Sequence, residues 1–244
     1  MLGGCAAYVV PDFAAKPYVP FNREDAVAIA LREWRLFGSN TDEQGEAARK
    51  PERAPGLWER IGEYWWLGLG GAGREARFTG KHDEDGRVFP ASDDERYAWS
   101  AAFISYVMRI AGAGSRFPYA SNHATYVNAA ASGASPILVA HPAQSYAPKL
   151  GDLLCFGREW SSGLSFKDLP KLGLWPGHCA IVVAAPQPGQ LDVVGGNDKD
   201  AVTMGHVSVG ADGSLASADG GRSWPIAIQV RYDAETDPDP GANP

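Results

Sequence analysis

The chain has 244 residues, 45% of them hydrophobic and 21% charged, an ordinary globular composition that excludes collagen, a coiled coil and wholesale disorder. Twenty-two Lys plus Arg stand against 29 Asp plus Glu, a formal net charge of −7. That is the wrong sign for a surface that neutralises phosphates, so nucleic acid is not expected as a partner. Twenty-nine Gly, 18 Pro, 8 Trp, 9 Tyr and 9 Phe imply a tightly turned, loop-rich fold with a bulky core, and no segment reads as a membrane span.

At the start, Leu2-Gly3-Gly4-Cys5-Ala6-Ala7 resembles the end of a bacterial lipoprotein signal, in which small residues precede a Cys that is cleaved and lipidated. This implies a lipid anchor at Cys5, a tether over residues 1–20, and membrane association only through that anchor. Asn22 is an N-cap for a helix through Phe37, with Ala26, Ile29, Ala30, Glu33, Trp34 and Phe37 on one face. Gly38-Ser39-Asn40 stops it. A second helix carries Leu57, Trp58, Ile61, Tyr64 and Trp65 at the same spacing. Gly68 to Gly73 satisfies G-x-G-x-x-G but follows a Trp-rich helix rather than a strand, so it reads as a loop and not a dinucleotide site. His82-Asp83-Glu84-Asp85-Gly86 lacks the alternation of a calcium loop and reads as a solvated acidic turn.

The third helix is expected from Glu95 to Ile110, with Trp99, Ala102, Phe103, Tyr106, Val107 and Ile110 on one stripe and Ser100 near its first turn. Ser121 or Asn122 caps a fourth, Ala124 to Ala131, and a Pro-containing connection from Pro136 to Pro148 follows. Beyond it the pattern turns to strands: Leu153 to Phe156, Cys179 to Ala184 opened by His178, Leu191 to Val194, Ala201 to Val209 and Ile226 to Tyr232. Short connections imply antiparallel pairing. The expectation is an α+β domain over residues 21–233, N-terminal helices packed on a five- to six-stranded antiparallel sheet, with a disordered tail over residues 234–244. Cys155 and Cys179 lie in two apolar runs. They could bridge if those strands are neighbours, or remain two buried thiols.

Three residues then form an ordered set: Ser100 at a helix start, His178 at a strand start and Asn197 past the next strand. A nucleophile at a helix N-terminus feels the positive end of the dipole, a His on a neighbouring strand serves as base, and a polar group orients the imidazole. The segments Tyr97-Ala98-Trp99-Ser100-Ala101-Ala102-Phe103, Gly151-Asp152-Leu153-Leu154, Gly177-His178-Cys179-Ala180-Ile181-Val182 and Gly195-Gly196-Asn197 resemble the ordered motifs of papain-like peptidoglycan amidases of the CHAP and NlpC type. More closely, the chain is similar to the bacterial family called domain of unknown function 2272. The resemblance implies a papain-like fold and cleavage of an amide bond in peptidoglycan peptides in the bacterial envelope or periplasm, with no metal and no cofactor.

Two departures matter: Ser100 stands where those amidases carry Cys, and Gly195 stands where CHAP members carry Glu. A serine hydroxyl is almost never ionised at neutral pH and needs a stronger base arrangement than a thiol. Asn197 can fix the imidazole tautomer, and Asp198 could add charge if the loop turns it inward. Tyr97, Trp99, His123 and Arg158 are expected to contact the substrate, Tyr97 by assisting the oxyanion and Arg158 by meeting a stem-peptide carboxylate. His123, in Ser121-Asn122-His123-Ala124-Thr125-Tyr126, lies either on the same cleft or on the helix surface. Because Ser100 can also be a simple helix cap, a non-catalytic protein that binds peptidoglycan or a partner is the alternative.

Overall fold

A computed structural model describes residues 20–42, 51–215 and 223–233. Cys5, residues 1–19 of the expected tether and the 234–244 tail lie outside the described residues. Helix α1 (Arg23–Leu36) begins where expected, the Asn22 side chain accepting the Asp25 N–H at 2.6 Å. Glu24 and Asp25 in its first turn and Arg35 in its last complement the helix dipole. Helix α2 (Leu57–Gly68) buries Ile61, Tyr64 and Trp65. Its last residue must be small, because a Cβ on Gly68 would lie 2.7 Å from the Ala102 carbonyl oxygen of the next helix.

Helix α3 (Ser100–Ile110) is buried from Ser100 through Met108. It starts five residues later than the apolar stripe suggests, because Ala91–Tyr97 forms a 3-10 turn instead. A side-chain tie from Arg53 to Asp94, at 2.6 Å, holds that turn against the Pro51–Arg53 segment. Ser100 is therefore the first residue of the helix. Helix α4 (His123–Ser132) is capped by Asn122, whose side chain accepts the Ala124 N–H at 2.8 Å, and ends at Gly133 with φ 72°.

Six antiparallel strands form one sheet: β1 (Leu138–Pro142), β2 (Leu153–Gly157), β3 (Gly177–Gln187), β4 (Gln190–Asp198), β5 (Ala201–Ser208) and β6 (Ile226–Val230), in the order β1-β6-β2-β3-β4-β5. β1 falls in the segment expected to be a connection. Pro142 is tolerated because it closes an edge strand, where no ladder N–H is required. The helices lie on one face, α3 against β3 and β4, and α4 against β1, so the architecture is α+β. The main core fills the space between, with Phe103, Ile104 and Val107 among residues that include Ile181, Val194 and Ile228. A smaller cluster around Leu154, Val182, Val193 and Trp224 covers the opposite face. Each fully buried large side chain contributes about 1.5–3 kcal/mol relative to exposure. Among the described residues, no helix is long and apolar enough to cross a membrane.

Cys155 and Cys179 sit directly opposite each other on β2 and β3, with Cα atoms 4.2 Å apart, and are joined by a disulfide. The open alternative is thus settled by register. Asp152, 1% exposed, links the sheet at the other end of β2: its carboxylate accepts the N–H groups of Lys149 and Val230, both at 2.9 Å, and the Tyr146 hydroxyl at 2.8 Å. The Gly151-Asp152 pair therefore acts in folding. Burial pushes the Asp152 carboxyl up, against the opposing pull of those three donors.

Candidate active site

Ser100 is placed by the abrupt turn from Trp99 into α3. The first helical bond runs from the Phe103 N–H to the Trp99 carbonyl at 2.9 Å. The N–H groups of Ser100, Ala101 and Ala102 therefore have no acceptor inside the helix, and the positive end of its dipole lies beside the Ser100 hydroxyl. Two imidazoles meet that hydroxyl. His123 Nε2 is hydrogen-bonded to Ser100 Oγ, and His178 Nδ1 lies 3.3 Å from the same oxygen. The two rings are 5.6 Å apart, centroid to centroid. Ser100 and His123 are each 4% exposed and His178 is 3% exposed.

His123 is in turn hydrogen-bonded through Nδ1 to the Tyr126 hydroxyl, one helical turn along α4. This contact follows from i, i+3 spacing on the helix face, and it is the signal in His123-Ala124-Thr125-Tyr126 that could have identified Tyr126. His123 was expected as a substrate contact, and the structure instead brings it onto Ser100 itself. Burial pushes its imidazole well below the ordinary histidine range, helped by the neighbouring His178 and Arg158.

A family described as an uncharacterized protein conserved in bacteria (DUF2272) matches residues 52–233. The chain belongs to this family. No curated protein and no solved structure matches it. The DUF2272 region contains Ser100, His123, Tyr126 and His178, together with α2 to α4 and all six strands. It excludes α1.

Within the DUF2272 region, other expected site residues take different places. Asn197 was expected to orient the His178 imidazole. It has φ 58° and follows Gly195 within a register shift between Gly195 and Asp198. Gly195 is what reaches the far side of the ring, since a Cβ there would lie 2.8 Å from His178 Nε2. Asn197 and Asp198 line a cleft of about 620 Å3 with Asp94, Glu95, Ala98 and Arg158. Arg158 also borders a second cleft of about 560 Å3, with Phe156, Leu164 and Pro225.

Trp99 is a correction, and Tyr97 is held by aromatic neighbours. Trp99 is 1% exposed, and its Nε1–H donates to Glu52 Oε2 at 2.9 Å, so it cannot form a cleft wall. Tyr97 stacks on Phe89 with centroids 3.9 Å apart and meets Phe78 edge-on, lining a separate groove with Arg74 and Arg96. Both are held by partners remote in sequence, which the local motif does not reveal. Glu52 itself was missed. It is 3% exposed, and burial pushes its carboxyl up to about 8, with Asp200 and Asp94 raising it further against the Trp99 hydrogen bond. The His82 to Gly86 segment is an acidic turn in which Asp83 Oδ1 accepts the N–H groups of Asp85 and Arg87 at 3.0 and 2.9 Å.

Proposed function

We propose that this chain is a cell-envelope hydrolase of the papain-like amidase type, which cleaves an amide bond in peptidoglycan peptides with Ser100 as nucleophile and His178 as general base. The observation that carries this reading is the Ser100 hydroxyl at the start of α3, in contact with imidazole nitrogens of both His123 and His178. In the first step Ser100 Oγ bonds to the amide carbon while its proton passes to His178 Nδ1. The carbonyl oxygen gains the negative charge, which the N–H groups at the α3 N-terminus, without acceptors inside the helix, stabilise. The C–N bond then breaks, His178 returns the proton to the leaving amine, and water attacks the resulting ester by the same route in reverse. The acid- and Arg-lined cleft beside Ala98 suits stem peptides, which carry both amines and carboxylates. Lipidation of Cys5 would hold the enzyme at an envelope membrane.

A second reading, a non-catalytic protein that binds peptidoglycan or a partner, is favoured by one observation: Gly195 beside His178 Nε2 brings no carboxylate to stabilise an imidazolium. Digestion of bacterial sacculi, with soluble products separated and weighed by mass spectrometry, decides between them. The hydrolase reading expects new peptide fragments from the natural protein and none from Ser100→Ala. Products from Ser100→Cys alone would establish the binding reading.

A further inference from the structure

The two histidines at Ser100 are not equivalent, and the hydrogen-bond inventory around them assigns each a direction. A neutral imidazole has one N–H and one bare nitrogen, and the position of its proton follows from its partners. Tyr126 is fully buried, and burial pushes its phenol well above the ordinary tyrosine range, so it keeps its proton. Among the described residues its hydroxyl has one hydrogen-bond partner, His123 Nδ1. A buried O–H left without an acceptor costs about 1–3 kcal/mol. The satisfied arrangement is Tyr126 O–H donating to a bare Nδ1, which places the His123 proton on Nε2, facing Ser100 Oγ. Ser100 Oγ then accepts from His123, and its own proton is directed to its remaining partner, His178 Nδ1 at 3.3 Å.

We propose that His123 is a fixed hydrogen-bond donor to the Ser100 nucleophile, locked in its Nε2–H tautomer by Tyr126, so that the Ser100 proton can leave only toward His178. This rests on Ser100 being a nucleophile, as argued above, and adds a catalytic residue to that reaction. As the Ser100 O–H proton moves to His178 Nδ1 and Oγ bonds to the carbonyl carbon, the His123 N–H stays on His123 and stabilises the charge building on Oγ. The same donor then holds the serine oxygen in position in the ester. This contribution answers the departure noted in the sequence. A serine is a far weaker acid than a thiol, and Gly195 supplies no carboxylate behind His178. A neutral donor in a dry site strengthens the developing alkoxide without needing a second base. The groups facing His123 are Ser100, Tyr126, His178 and Arg158, and its burial, with the Arg158 guanidinium nearby, keeps it neutral.

The direct test needs no substrate. Long-range proton–nitrogen correlation spectra of the uniformly 15N-labelled chain report the tautomer of each imidazole, and His123 is assigned as the ring missing from His123→Gln. The expected result is the neutral Nε2–H form at neutral pH, with Tyr126→Phe releasing it to a mixture. An Nδ1–H tautomer or an imidazolium at neutral pH would overturn the proposal. Labelling of Ser100 by a fluorophosphonate probe then reads the nucleophile itself. His123→Ala is expected to lose about 100-fold in labelling rate, the typical value for one such donor. His123→Gln, whose amide can donate but cannot act as a base, should recover at least about tenfold of that. His178→Gln should match or exceed the loss in His123→Ala. Equal losses in His123→Gln and His123→Ala, with little effect of His178→Gln, would make His123 the base and overturn the assignment. A natural protein that shows the expected tautomer and no Ser100 labelling refutes the hydrolase reading while the hydrogen-bond direction stands.

Discussion

Glu52 couples the protonation state of the interior, through Trp99, to the start of α3. Its Oε2 accepts the Trp99 indole N–H, its Oε1 is buried without a hydrogen bond among the described residues, and its carboxyl is pushed up to about 8, chiefly by burial and then by Asp200 and Asp94. In the unfolded chain the same group titrates near the usual carboxyl value of about 4.5. Between these two values the folded state holds one more proton than the unfolded state, so stability falls as pH rises. At about 1.4 kcal/mol per pH unit, the full loss across that interval is on the order of 5 kcal/mol. Glu52→Gln cannot titrate but keeps an oxygen for Trp99. Urea denaturation of both proteins from pH 4.5 to 9 should show nearly equal stabilities at the acid end. The variant should then gain steadily, reaching several kcal/mol above the natural protein by pH 8.5. A difference between the two that does not change with pH would refute the reasoning. Because Trp99 leads directly into Ser100, loss of the Glu52 proton should also loosen the start of α3.

Glu33, fully buried, accepts Arg60 at 2.6 and 2.5 Å, the Tyr64 hydroxyl at 2.7 Å and Arg32. Glu33→Gln should cost about 3–5 kcal/mol in urea denaturation by leaving the Arg60 guanidinium without its carboxylate. Burial pushes the Glu33 carboxyl up, but these donors outweigh it and hold it below the ordinary range. Its stabilisation is therefore present above the unfolded carboxyl value and is lost as pH falls through the lower folded one. The Cys155–Cys179 bridge spans 24 residues, a loop whose closure is worth about 3 kcal/mol. The Cys155→Ser, Cys179→Ser double variant should lose that amount, and dithiothreitol should destabilise the natural protein but not the variant. In Gly195→Ala the new methyl would fall 2.8 Å from His178 Nε2. It should displace the ring and cut Ser100 labelling by tenfold or more at unchanged thermal stability, and unaltered labelling would show that the ring can yield.

What is local in this protein is written in its sequence. The periods of α1, α2 and α3, the caps Asn22 and Asn122, and the apolar runs of β2 to β6 all depend on neighbours within a few residues, and the chain expresses them directly. The Cys155–Cys179 pairing stayed open in the sequence, between a bridge and two buried thiols, and only register made them partners. Ser100 and His178 were legible because a helix start and a strand start are themselves local features. Their meeting across 78 residues, and that of Ser100 with His123 across 23, belongs to the packing of α3 and α4 against the sheet. The same holds for every misplaced element. β1 exists because β6 offers it a ladder despite Pro142, and α3 starts late because Arg53 ties down Asp94. Short-range hydrogen bonding and periodicity determine the elements. Which polar groups face one another inside is decided only when burial forces distant donors and acceptors to find partners, and at Ser100 those partners are two histidines and, behind one of them, a tyrosine.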